Sequence, residues 1–212
     1  MKVWAIIPVK RLENAKSGLR RAMKDEARRR LVLAMLSDVI HACKGCRGVE
    51  EILVISPDEI VLEFAEKNGV HPLKEPGLGL NEAIKFAVRY AERNGAQGVL
   101  ILPADLPLLR TADLEQVISM GGEGGAVIAP SKANGTNALF LSPPSCIEPR
   151  FGGESFLKHL REAEHRGIDV KIYNSPTVAL DVDSPEDLQV VEVKGSGTET
   201  AKVISSMKDL TE

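Results

Sequence analysis

No stretch of this sequence is apolar for the ~18 consecutive residues that a membrane-spanning helix needs. Its opening run, Met1 to Pro8, is too short and too soon broken by Pro8 for a signal peptide, so a cytoplasmic protein that needs no membrane is expected. Charge of one sign is missing too. The chain carries 27 Lys and Arg against 30 Asp and Glu, a formal net charge of -3. With neither a basic stripe nor an acidic block, nucleic acid is not an expected partner. Cysteine is scarce. Cys43 and Cys46 form a CxxC, but there are only 3 cysteines and no second pair. A structural zinc site wants four ligands, so a helix end followed by a turn accounts for the pair better than a metal or redox centre. There is no repeat and no low-complexity segment. GxxxxGK[ST], GxGxxG and a nucleophile elbow are all absent, which argues against P-loop NTPases, dinucleotide enzymes and covalent hydrolases.

What remains is an ordinary globular composition, 43% hydrophobic and 27% charged over 212 residues, enough for one domain with a full core. Residues 1–194 are expected to form that domain and 195–212, rich in Ser and Thr, a mobile polar tail. Short apolar runs predict strands at 3–8, 51–56, 98–103, 126–130, 137–141, 170–173 and 178–182. Helical spacing predicts helices over 25–43, 59–68, 80–94, 111–120 and 155–167, with Thr111 as one cap, and a last short helix beginning near Pro185. Strands that alternate with helices imply an α/β fold: a mostly parallel central sheet covered on both faces. Ligands of such sheets bind beyond the carboxyl ends of the strands.

The chemically informative residues fall at those ends. After the first strand come Pro8, Lys10, Arg11 and Lys16, three cations within seven residues, a pattern suited to the phosphates of a nucleoside triphosphate. After the third clear strand, Leu102-Pro103-Ala104-Asp105-Leu106-Pro107 delivers one carboxylate between two stiffening prolines. A hard Mg²⁺ ion takes one or two carboxylates plus phosphate oxygens, so Asp105 is the expected metal ligand. Asp181 and Asp183 lie at i and i+2 on one face of an extended segment. One is expected to complete the metal site and the other to cap the helix at Pro185. Asn134-Gly135-Thr136-Asn137 and Phe151-Gly152-Gly153-Glu154-Ser155 offer hydroxyls, small residues and a helix start to an acidic acceptor. In Glu75-Pro76-Gly77-Leu78-Gly79-Leu80-Asn81, Gly79 permits close approach to a flat base and Asn81 can pair with a base edge. His159, one helical turn after Ser155, either faces that same site or lies on the surface.

Taken together, IIPVKRLENAKSGL, GLGLNEAI, LPADLPLL, VIAPSKANGTNALFLSPP, FGGESFLKH and LDVDSPEDL, in order over residues 6 to 188, resemble the 2-phospho-L-lactate guanylyltransferase family of coenzyme F-420 biosynthesis. GTNAL combined with FGxxSFxxH is the specific part. The resemblance implies a Rossmann-like three-layer sandwich of the nucleotide-diphospho-sugar transferase type. It implies that GTP and (2S)-2-phospholactate give lactyl-2-diphospho-5′-guanosine and pyrophosphate, with phosphoenolpyruvate as the alternative acceptor. By motif, Asp105 corresponds to the metal-binding aspartate, and Thr136, Gly152 and Ser155 to acceptor-binding residues. Lys132 and Asn134 depart from the usual pattern of that turn. A homodimer is expected as the commonest oligomer. The main rival within enzymes is a guanylyl- or cytidylyltransferase with another acceptor, and two more rivals stand beside it. One is a nucleotide-binding protein that transfers nothing. The other is a glycosyltransferase, disfavoured because Ala104-Asp105-Leu106 stands where such enzymes carry Asp-x-Asp.

Overall fold

The computed structural model describes residues 1–77 and 79–208. Seven strands form one sheet: β1 (Val3–Pro8), β2 (Val49–Ser56), β3 (His71–Lys74), β4 (Gly98–Ile101), β5 (Ala126–Pro130), β6 (Thr136–Leu141) and β7 (Val170–Ile172), in the order β3-β2-β1-β4-β6-β5-β7. The first four are parallel, β6 runs antiparallel to both β4 and β5, and β7 is parallel to β5. Among the described residues seven α-helices cover the sheet: α1 (Asp25–Gly45), α2 (Glu59–Lys67), α3 (Leu80–Arg93), α4 (Thr111–Gly121), α5 (Ser155–His165), α6 (Pro185–Lys194) and α7 (Glu199–Lys208).

The alternation of side chains along β1 explains the layering. Val3, Ala5 and Ile7 point into one core with α1, α2, α4, α6 and α7, while Ile6 points into the other with α3 and α5. Both faces are dry, which is why these strands read as continuous apolar runs. A buried Leu or Ile contributes roughly 1.5–3 kcal/mol, and α1 alone sends Leu31, Met35, Leu36 and Val39 into the first core without exposure. Cys43 and Cys46 belong to that same core at 1% and 2% exposure. Burial raises both thiols, most strongly Cys43. They pack as small hydrophobes. No helix of the described residues is long and apolar enough to cross a membrane.

Three expectations need correction. Residues 178–182 form no strand. Their backbone partners lie in neighbouring loops instead: Lys132 N donates to Ala179 O at 3.2 Å and Val182 N to Asp105 O at 3.1 Å. Thr111 does not cap α4; Asp113 accepts from Arg110 N at 3.1 Å, and the Thr111 hydroxyl donates to Ala42 O instead. The polar tail contains α7, which lies on α1 with Ile204 5% exposed and Thr200 fully buried. Asp38 of α1 accepts from Glu199 N at 2.7 Å and Thr200 N at 3.0 Å, and so satisfies the start of α7 from a neighbouring helix. That cap is remote in sequence, so local composition could not reveal it.

Candidate functional site

β1 ends at Pro8 beside β4, which ends at Ile101, so the loops that follow leave the sheet on the same edge. Because β6 is antiparallel to β4, it starts at that edge, with Thr136. A cleft of about 490 Å³ opens there, lined among others by Pro8, Lys10, Lys16, Asp105, Phe151 and Asp183. A neighbouring hollow of about 390 Å³ shares Pro8, Lys10 and Leu80 and adds Arg11 and Gly79. Each is within the usual size of a small-ligand pocket. Leu78, in the glycine loop beside it, lies outside the described residues.

The centre of the cleft is an ion triplet. The ammonium of Lys16 contacts Asp105 Oδ2 at hydrogen-bond distance and Asp183 Oδ1 at 2.9 Å. Burial pulls the lysine pKa down, but the carboxylates of Asp105 and Asp183 outweigh it and leave it raised, so the amine stays charged. The other Asp105 oxygen, Oδ1, is buried and has no hydrogen-bond partner among the described residues. An unpaired buried acceptor is costly unless something fills it. Asp181 lies on the same segment. Burial raises its pKa; a bond from Asn137 Nδ2 at 3.3 Å opposes the rise, and the charges of Asp105 and Asp183 add to it. Among the described residues no group of three or more His, Cys, Asp or Glu side chains is placed to hold a metal ion. Magnesium does not need one. It keeps several waters and takes phosphate oxygens, so an orphaned Asp105 oxygen with Asp181 and Asp183 nearby fits an open site for it.

The fold brings this triplet together through loop contacts. Arg28 of α1, 1% exposed, donates from Nε to Ala15 O at 3.0 Å and from Nη1 to Asp25 at 2.8 Å, and so grips the chain beside Lys16. Asp58 accepts from Leu12 N at 2.9 Å. On the other side, Asp113 accepts from Tyr173, Ser175 and Thr177 and fixes the segment that leads to Asp181. Neither Arg28, Asp58 nor Asp113 stands out in the sequence. Each acts on backbone or on residues far along the chain, and only a buried-arginine position in α1 could have hinted at one of them.

Gly18 supplies the tightest approach. A Cβ placed there would lie 2.7 Å from the carbonyl oxygen of Asp183. We expect Gly18→Ala to push the Asp183 segment away from Lys16 at a cost of roughly 1–3 kcal/mol. Thermal denaturation and turnover should both fall, whereas unchanged turnover would show that the contact does not set the site.

The acceptor-like loops meet below Phe151. Thr136 and Ser155 are 4% and 2% exposed, and neither lines the cleft. Phe151 does line the cleft, its backbone N donating to Asn81 Oδ1 at 2.7 Å while Asn81 Nδ2 donates to Phe151 O at 3.0 Å. Asn81 therefore clamps the loop of Phe151 rather than presenting a free amide edge to a base. Asn137 is likewise turned inward, to Val178 O at 2.8 Å and to Asp181. Gly152, at φ +116°, and Gly153 leave open space above the start of α5. Neither Asp181 nor Asp183 caps α6. Ser184 does, its hydroxyl accepting from Asp187 N at 3.3 Å while Asp187 accepts from Ser184 N at 2.9 Å, which leaves Asp183 to line the cleft and Asp181 to meet Asn137.

His159 is fully buried. Its Nε2 accepts from Arg150 N at 2.8 Å, so Nδ1 bears the proton and donates to the Thr136 hydroxyl at 2.9 Å. Burial, followed by the Arg150 charge, lowers its pKa from 6.5 to about 4. The unfolded chain thus takes up a proton below pH ~6.5 that the folded chain refuses until about 4. The stability tied to the neutral ring is present above pH ~6.5 and drains away as pH falls, roughly 3 kcal/mol in all. We expect His159→Gln to be less stable than wild type near neutral pH, with the gap narrowing towards pH ~4.5. A pH-independent gap in melting temperature would refute this.

Solved structures share this architecture. A protein from Desulfovibrio desulfuricans G20, titled a nucleotide-diphospho-sugar transferase, matches with a TM-score of 0.80 at 16% identity, covering 99% of this chain and 97% of that one. A cytidylyltransferase from Leptospira borgpetersenii matches with a TM-score of 0.63 at 14% identity, covering 100% and 95%. These likenesses define the fold, a nucleotidyltransferase-type α/β sandwich. The sequence is more specific: the family described as "Guanylyl transferase CofC like" matches residues 2–209, and the chain belongs to that family. It is similar to the phosphoenolpyruvate guanylyltransferase of Rubrobacter xylanophilus, 45% identical over 197 residues, 92% of this chain and 96% of that protein. It is also similar to the 2-phospho-L-lactate guanylyltransferase of Methanothermobacter thermautotrophicus, 38% identical over 209 residues, 98% and 92%.

Proposed function

We propose that the protein transfers the guanylyl group of GTP to (2S)-2-phospholactate, giving lactyl-2-diphospho-5′-guanosine and pyrophosphate, a step of coenzyme F-420 biosynthesis. The observation that carries this reading is Asp105, one oxygen buried without a partner among the described residues and the other on Lys16, inside a cleft also lined by Lys10. A phosphate oxygen of the acceptor attacks the α-phosphorus in line, the bond to the bridging oxygen breaks, and pyrophosphate leaves with the electron pair. The nucleophile is already an anion, so no strong base is required. The obstacle is repulsion between two polyanions. Lys10, Arg11 and Lys16 offset it, and Asp105 with Asp181 or Asp183 would hold Mg²⁺. When bound, that ion would neutralise charge developing on the phosphate oxygens. Positioning and charge stabilisation then supply most of the rate.

One observation favours a second acceptor. The relative at 45% identity is named for phosphoenolpyruvate. The two acceptors differ chiefly in a methyl against a methylene group, a difference that a pocket resolves only weakly. Purified protein assayed with GTP, Mg²⁺ and each acid in separate tubes should release pyrophosphate with one or both. Release with neither, despite GTP binding, would replace transfer with simple nucleotide binding.

A further inference from the structure

We infer that Lys16 has two stations, and that its ammonium and the metal ion compete for the same pair of carboxylates. The inference rests on the proposed metal role of Asp105 and Asp183, and it concerns what this chain's own lysine does before and after the metal and nucleotide arrive.

The geometry is specific. Lys16 is the only lysine whose ammonium reaches two acidic side chains of the cleft, Asp105 and Asp183, among the described residues. Its side chain is 9% exposed, so it is packed into the cleft rather than floating over it. Its backbone sits at φ 51°, ψ 47°, a left-handed conformation that a residue with a Cβ rarely adopts. The loop is held there by Arg28 on Ala15 O and by the turn in which Leu19 N donates to Lys16 O at 3.0 Å. The fold therefore constrains the backbone to aim this amine between the two aspartates. A magnesium ion bound to Asp105 would lie within a few ångströms of the ammonium, and two cations at that separation repel strongly. One must leave. The backbone of Lys16 is fixed, but the four-carbon stem lines the open cleft and can turn its amine towards the space that would hold the triphosphate.

Lys16 thus serves as the resident counter-ion of the aspartates and, once displaced, as a phosphate ligand. The metal gains from nucleotide because phosphate offers the displaced ammonium a new partner, and by linkage the nucleotide gains equally from metal. In the protein alone, the lysine should weaken metal binding. A lysine that merely assists transfer from a fixed position would have no such effect.

The test measures Mg²⁺ binding calorimetrically to the full chain without nucleotide, for wild type, Lys16→Met and Lys16→Gln. The glutamine variant retains a donor for the aspartates, which protects the fold if methionine does not. Removing the charge should tighten Mg²⁺ binding by about tenfold or more, and Mg²⁺ should raise the melting temperature of the variants more than that of wild type. Asp105→Asn in either background should abolish the gain. Equal or weaker Mg²⁺ binding in a folded variant would overturn the inference and leave guanylyl transfer standing. Failure of wild type to release pyrophosphate with either acceptor would overturn the transfer reading instead, since the affinity ratio is measured without turnover.

Discussion

Asp105→Asn should lower kcat by at least about 10³-fold, roughly 4 kcal/mol of transition-state stabilisation, while leaving the protein folded. The two halves of this expectation come from the two oxygens. Oδ1 is buried without a partner among the described residues, so an amide there disturbs no bond seen among them. Oδ2 contacts Lys16, which keeps Asp183 as a second partner at 2.9 Å. The substitution preserves shape, and stability should shift by no more than about 1 kcal/mol. The loss in rate has a different origin. A neutral amide cannot hold a hard cation against the charge that develops as pyrophosphate departs. An interaction used mainly in the transition state shows in kcat more than in KM. Steady-state pyrophosphate release over a range of GTP and Mg²⁺ concentrations measures both. Near-normal kcat with an unchanged dependence on Mg²⁺ would remove Asp105 from the centre of the mechanism.

The carboxylate at the end of a strand was legible because its signals are local. An apolar run followed by Pro103-Ala104-Asp105-Leu106-Pro107 can be read without any knowledge of what lies beside it, and the strand-helix alternation through residue 120 places that run in a parallel sheet. The segment at 178–182 was misread for the complementary reason. Its alternating Val178, Leu180 and Val182 are buried as a strand's would be, but its polar groups answer to Asp105 O and Asn137 rather than to a neighbouring strand. Burial pattern alone does not separate those cases. Asn81 fails similarly. Its amide is well placed to read a base in sequence, yet both of its ends are used by Phe151, seventy positions away. Neither Asp181 nor Asp183 caps α6, because Ser184 does, in a capping box with Asp187. In each case a side chain with several possible partners found one that sequence spacing does not show.

The largest effect on stability is expected at Arg28, a residue with no visible part in the chemistry. It is a fully charged side chain 1% exposed to solvent, bonded to Ala15 O at 3.0 Å, to Glu13 O at 3.4 Å and to Asp25 at 2.8 Å. Arg28→Met fills much of the same volume and removes all three bonds. The carbonyl of Ala15 is then left against an apolar side chain, while that of Glu13 keeps its bond from Arg20 at 3.1 Å, so the cost is the desolvation of one orphaned acceptor as well as the lost bonds and the unpaired Asp25, roughly 3 kcal/mol. For a chain of this length that lowers the melting temperature by about 6–12 °C. Arg28→Lys should recover little, because one ammonium cannot reproduce a planar fork that spans two carbonyls and a carboxylate. The functional consequence follows from which carbonyls these are. They belong to the turn on either side of Asn14 and immediately before Lys16, so a loosened turn no longer aims the lysine at Asp105 and Asp183. Turnover should therefore fall well below the fraction of protein that remains folded at the assay temperature, and the fall should be in kcat, with GTP still bound through Lys10 and Arg11. Activity that simply tracks the folded fraction would mean that Arg28 supports the core of α1 and leaves the aim of Lys16 to the loop itself.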